Sequence, residues 1–183
     1  MNEADVDAAD MLALQRGEAA ALDRLMGRWQ TRLRSYLLRH LSTQADALDL
    51  AQETFVRIFR YRDRFEIHRR FSTWMFQIAL NLLRDHGRYH QRRPAAPLSE
   101  AAEIRDEVDP SQVASDREVA TAVREAINTL PAHLREVIVL FEYEHLSHAE
   151  IAEVVGASPK AVETRLYRAR EHLRTELTRW LRS

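Results

Sequence analysis

The stretch that most constrains this chain is residues 147–174, SHAEIAEVVGASPKAVETRLYRAREHLR, which reads as two short helices broken at Gly156, the second heavily basic. Ser147 is placed to cap the first helix, and Glu150, three residues on, can reach back to complete a capping box. Ile151, Ala152 and Val155 supply an apolar face, and Gly156 is a usual C-terminal stop. Ser158 then caps the second helix, with Pro159 at its first position, where a missing N–H costs nothing. Val162, Leu166, Ala169, Leu173 and Leu177 recur at helical steps and predict one continuous buried stripe. Lys160, Glu163, Thr164, Tyr167, Arg168 and Glu171 fall on the opposite face, with Arg165, Arg170 and Arg174 on the flanks. Groups that donate to phosphates and base edges are thus collected where they can reach a duplex, which is the grammar of a helix-turn-helix.

The rest of the chain must supply a fold around that pair. Its 183 residues suffice for one domain or two small ones. Only four glycines, 30% charged residues and abundant Ala, Leu, Arg and Glu favour helices. No Gly-rich phosphate loop and no long alternating β-branched run is present. Zero cysteines exclude a disulfide scaffold and a thiolate zinc site. The acidic N-terminus, MNEADVDAADM, leads into no long apolar core and does not read as a signal peptide. No apolar run approaches the roughly 18 to 20 residues of a membrane span. A soluble, cytoplasmic protein without membrane insertion is expected, and with nothing written after Ser183, no fused C-terminal sensor.

A net charge of −1 argues against a nucleic-acid binder, but the distribution argues for one. Basic residues cluster in Arg57–Arg70, Arg84–Arg93 and Lys160–Arg182, while acids fill the N-terminus and Glu100–Glu118. Residues up to about Asp10 are expected to fray. From Met11 to Arg93 the periodicity predicts a helical block, with a break at Leu41–Ser42. Within it, Asp46 to Tyr61 forms an amphipathic helix with Leu50, Phe55, Ile58 and Phe59 inward. A basic loop, Arg62–Arg70, precedes a helix starting near Ser72, whose apolar set is Trp74, Met75, Ile78, Ala79, Leu82 and Leu83. Pro94, Pro97 and Pro110, among many acids, mark a linker over 94–117. Beyond it, Val119, Val123 and Ile127 begin a helix that stops at Leu130–Pro131. Another carries Leu134, Val137, Ile138 and Phe141 inward. The expected fold is all-α: two small helical domains, 11–93 and 118–183, joined by a flexible acidic linker, the second a helix-turn-helix.

Three motifs in order, DALDLAQETFVRIFRYRDRF (46–65), FSTWMFQIALNLLRDHGRYHQRR (71–93) and INTLPAHLREVIVLFEYEHLSHAEIAEVVGASPKAVETRLYRAREHL (127–173), resemble an extracytoplasmic-function sigma factor of the sigma-70-like family. They cover about half the chain. The resemblance implies a two-domain promoter-specificity subunit of bacterial RNA polymerase, with no catalytic residues and no cofactor of its own. Asp46, Asp49, Gln52, Glu53 and Phe55 would meet the clamp helices of the polymerase's largest subunit. Phe65, His68, Arg69, Arg70 and Asn81 would capture an unstacked base of the −10 element, with Arg84 and Arg88 on nearby phosphates. Arg92 and Arg93 would join them there. Lys160, Glu163, Thr164, Arg165, Tyr167 and Arg168 would face the −35 duplex, with the flap region of polymerase nearby. The family usually has an anti-sigma partner and is not expected to form a stable homo-oligomer.

Each assignment has a plainer counterpart. The charged face of 46–60 can be merely solvated, and Phe71 and Trp74 fall in register with Ile78 and Leu82, which favours core. Arginines at a helix end also complement its dipole. Arg165 and Arg170 can bind phosphate or pair with glutamates. The linker is either a solvated tether or, as the resemblance implies, a segment threading the RNA-exit path. Lys160–Ala161 stands where many members carry Gly-Thr, and Glu163 where they carry a base. Glu accepts from cytosine N4 and repels phosphate, so the family's commonest −35 sequence is not assumed. His86 and His90 stand four apart, yet no cysteine joins them and no metal is expected. The rivals are a free-standing, homodimeric helix-turn-helix regulator and an all-α hydrolase, for which no acid/base or metal constellation assembles.

Overall fold

A computed structural model describes residues 3–92 and 114–182. Most of the expected linker, and Arg93, lie outside them, as do the side chains of His90 and Arg92. Among the described residues every regular element is helical. The chain divides into two compact units, residues 1–101 and 102–183.

The first unit holds α1 (Glu3–Gln15), α2 (Ala20–Leu38), α3 (Gln44–Arg60), a 3-10 turn at Arg62–Arg64 and α4 (Phe71–Arg92). The acidic N-terminus does not fray. Asp7 and Asp10 turn inward and meet partners on α2: Asp7 accepts from Arg28 Nε at 2.9 Å and from the Trp29 indole N–H at 3.0 Å. Asp10 accepts from Arg24 at 2.7 Å and from Arg28 at 2.5 Å. A buried carboxylate is tolerable only when it is paired and hydrogen-bonded, and both of these are. Met11 and Leu14 then bury the apolar side of α1.

Thr43 caps α3 by accepting the Asp46 N–H at 3.1 Å, so the helix starts at Gln44. Its inward residues are Ala47, Ala51, Thr54, Phe55 and Ile58. Phe59, expected inward, is exposed. α4 is the central helix: Phe71 to Phe76 are all buried, including Ser72 and Thr73. The first turns of α4, covered on every side, have no single stripe, which is why Phe76 joins the expected apolar set, with Leu80 one turn further on. Trp29, Tyr36, Phe65, Phe71, Trp74 and Phe76 form a linked aromatic cluster, with neighbouring ring centroids between 4.9 Å (Tyr36–Phe76) and 6.4 Å (Phe65–Phe71). Each such side chain contributes about 1.5–3 kcal/mol by burial.

The second unit holds α5 (Ala114–Thr129), α6 (Ala132–Glu142), α7 (His148–Val155) and α8 (Pro159–Trp180). α5 starts at Ala114, inside the segment read as linker. Arg135 on α6 donates to the Asn128 and Leu130 carbonyls at 2.5 and 3.1 Å, closing the end of α5. α8 packs on the other three helices through Val162, Leu166 and Ala169. Leu173 and Leu177 are only half-covered, so the buried stripe fades along the C-terminal half of α8.

Candidate polymerase and nucleic-acid interfaces

The outer face of α3 combines polar and apolar groups. Asp49 and Gln52 are exposed, and no partner within the unit engages them among the described residues. Leu48, Val56 and Phe59, at 47%, 45% and 43% exposure, lie along the same side as Gln52 at helical spacing. Sequence periodicity missed this apolar row because it placed Phe59 inward. Glu53 is held by Arg57 at 2.9 Å. Asp46 is occupied structurally: it accepts from the Thr43 hydroxyl at 2.7 Å and lies 3.5 Å from His86 on α4. Phe55, expected on the polymerase face, is instead buried in the core of the unit.

A second surface lies on the loop after α3 and on α4. Phe65, expected to face the −10 element, is instead buried: it packs 5.3 Å from Trp74 and anchors the loop from below. Beyond it the chain turns, with the Arg69 N–H donating to the Glu66 carbonyl at 2.9 Å. Ile67, His68 and Arg70 are exposed, His68 standing 3.1 Å from Glu66. Arg69 is half-buried and donates to Gln77 Oε1 at 3.1 Å. Gln77, Asn81, Arg84 and Arg88 follow at steps of four, three and four, so loop and helix form one polar surface. Asn81 is exposed and unengaged among the described residues, whereas Arg88 pairs with Asp85.

The helix pair of the second unit is built as its sequence predicts. Ser147 and Glu150 form the reciprocal capping box, and Gly156 ends α7 at φ 70°. Ser158 accepts the Ala161 N–H at 3.2 Å, with Pro159 opening α8. Lys160, Glu163, Thr164, Tyr167 and Arg168 all reach solvent, Tyr167 at 67% exposure. Lys160 Nζ lies 2.9 Å from Glu163, and this ammonium holds the Glu163 carboxyl below its usual value. Thr164 returns its hydroxyl to the Lys160 carbonyl at 3.0 Å. Arg165 and Arg168 make no intramolecular pair among the described residues. Arg170 is committed elsewhere: it binds Glu142 at 2.9 Å and stacks 5.0 Å over Phe141. Arg174 pairs with Glu171.

Among the described residues no three metal-ligating side chains come together, and no helix is long and apolar enough to cross a membrane. Residues 25–93 match the family Sigma-70 region 2, and residues 120–173 match Sigma-70, region 4. The RNA polymerase sigma-H factor of Pseudomonas aeruginosa is 31% identical over 178 residues, 92% of either chain. The ECF RNA polymerase sigma-E factor of Haemophilus influenzae is 31% identical over 97% of this chain and 98% of its own. Among solved structures, CnrH in complex with the cytosolic domain of CnrY superposes with a TM-score of 0.73 at 29% identity, covering 94% of this chain and 97% of that one. The sigma factor RpoE of Bartonella quintana, solved with the anti-sigma factor NepR, shares the fold at TM-score 0.67 and 24% identity, over 85% of this chain and 96% of its own. The chain therefore belongs to the sigma-70-like RNA polymerase sigma factors of the extracytoplasmic-function type.

Proposed function

We propose that this sigma factor directs core polymerase by dividing promoter recognition between its two units, residues 11–93 and 118–183 with an acidic linker over 94–117. The observation that carries the reading is α8: Arg165, Tyr167 and Arg168 sit beyond a capped turn with no partner among the described residues. Cations left unpaired on a helix beside exposed Thr164 are suited to phosphates and base edges of the −35 duplex. In the first unit, Asp49, Gln52 and Glu53, with Leu48, Val56 and Phe59 around them, form the face we assign to the polymerase clamp helices. Exposed apolar groups rimmed by charge mark a protein contact rather than a solvated face. His68, Arg69, Arg70, Asn81, Arg84 and Arg88 are assigned to the −10 element as single strand.

The chain acts without catalytic chemistry of its own and works in the cytoplasm, where polymerase and DNA are. An anti-sigma protein is its expected regulator; family membership and the exposed Leu48–Val56–Phe59 row support that partner. Run-off transcription with core polymerase on a promoter library tests the whole reading. Specific initiation that depends on both components is expected. Promoter binding by a homodimer with no effect of core polymerase would favour a free-standing regulator instead.

A further inference from the structure

Gln15, the last residue of α1, is half-buried and acts as a two-pronged donor. Its Nε2 lies 2.8 Å from the Arg62 carbonyl oxygen and 2.9 Å from that of Phe65. A side-chain amide carries two N–H groups, so both bonds form at once. The two acceptors bracket the 3-10 turn through which the chain leaves α3 and enters the loop. At the far end, Arg69 donates to Gln77 of α4 at 3.1 Å. The loop is therefore tied at its entry by α1 and at its exit by α4, with Ile67 and His68 exposed at its crest. α1 is itself locked to α2 through Asp7 and Asp10. It lies ahead of the segment that matches Sigma-70 region 2, which begins at residue 25.

We propose that Gln15 is a positioning residue for promoter opening, fixing the loop over 61–70 in the shape that receives an unstacked −10 base. The inference rests on the assignment of that loop to the −10 element. Removing a base from the stack has its own cost, and a loop that must also be ordered at that moment adds to it. Gln15 touches no DNA in this scheme. It acts through the Arg62 and Phe65 carbonyls alone.

The test uses the full chain with core polymerase and reads opening from 2-aminopurine placed in the −10 non-template strand. Gln15→Met keeps the length and loses both donors; Gln15→Glu presents only acceptors to two carbonyls; Gln15→Lys keeps a donor. Gln15→Met is expected to slow opening roughly tenfold and Gln15→Glu further, with Gln15→Lys recovering most of the loss. Core affinity and −35 duplex affinity stay at the parent level, and the thermal midpoint of the first unit falls by only the few degrees that two half-buried hydrogen bonds account for, without the rank order of the opening rates. Equal losses in all three variants, or losses that track the thermal midpoint, overturn the proposal and leave Gln15 a packing residue. A His68→Ala, Arg70→Ala double variant separates the two ideas. Slowed opening there but not in Gln15→Met removes the brace and keeps the loop assignment. Normal opening in both removes the loop assignment and the brace with it.

Discussion

Lys160 and Glu163 face each other across 2.9 Å on the first turns of α8, so the helix presents a neutralised pair where its sequence offers a free cation and a free acid. The Lys160 ammonium holds the Glu163 carboxyl below its ordinary value. While the two are paired, the Glu163 charge offsets that of Lys160 toward a phosphate, and Lys160 draws on the carboxylate that would accept from a base.

Glu163→Gln should release that restraint. Freed Lys160 gains one phosphate contact, so the salt dependence of holoenzyme binding should steepen by about one unit in the log–log slope. Any preference for cytosine opposite position 163 should weaken, because a neutral amide no longer offers two acceptors. Binding of a −35 duplex library across a salt series measures both. An unchanged slope together with an unchanged base preference would show that Glu163 stands away from the DNA.

Arg168 and Arg170, two residues apart, should behave oppositely. Arg168 has no intramolecular partner among the described residues, so Arg168→Ala should lower −35 affinity and shallow the salt slope by about one, with stability within about 0.5 kcal/mol of the parent. Arg170 holds Glu142 and covers Phe141. Its ion pair is half-exposed and worth little, so Arg170→Ala should cost the second unit about 0.5–1 kcal/mol, mostly from the lost stacking, while leaving duplex affinity near the parent value. Denaturant melts alongside anisotropy titrations distinguish the two; a large affinity loss in Arg170→Ala would refute the division.

The helix pair was readable from sequence because its signals are local. Ser147, Glu150, Gly156, Ser158 and Pro159 act on backbone groups within three or four residues, and the structure uses each one as written. What stayed hidden depends on distant partners. Asp7 and Asp10 look like solvated acids until Arg24, Arg28 and Trp29 arrive on the next helix. Gln15 carries no periodic or charge signal, since its acceptors are carbonyls 47 and 50 residues away. Phe59 was misplaced because an apolar residue at helical spacing reads as core whichever side it faces. Phe55 and Phe65 show the reverse error: a family motif names a segment, and some of its residues serve the segment by being buried beneath it.

His145 offers a stability gain. It lies between α6 and α7 at φ 54°, a left-handed backbone that costs a residue with a Cβ about 1–2 kcal/mol. Its side chain is exposed, so little packing is at stake. His145→Gly removes the strain but adds about 0.5–1 kcal/mol of unfolded-chain entropy, leaving a net gain of about 0.5–1 kcal/mol. A rise of a few degrees in the melting of the second unit is expected, with −35 affinity unchanged. A lower melting temperature would mean that the ring supports the turn.

Acid should loosen the first unit through α1. Burial pulls the Asp10 carboxyl upward, but the hydrogen bonds and charges of Arg28 and Arg24 outweigh it and set its pKa below the ordinary 3.8. A folded-state pKa below the unfolded one means that the stability from Asp10 is complete above about pH 4 and is lost as pH falls through the folded value. Arg24 and Arg28 remain partly open to water, so the contribution is on the order of 1–2 kcal/mol rather than that of a fully buried pair. Asp10→Asn should lower the stability of the first unit at pH 7 by about this amount and flatten its decline below pH 4 relative to the parent. Parallel pH-stability curves for parent and Asp10→Asn would place the acid sensitivity in another carboxylate.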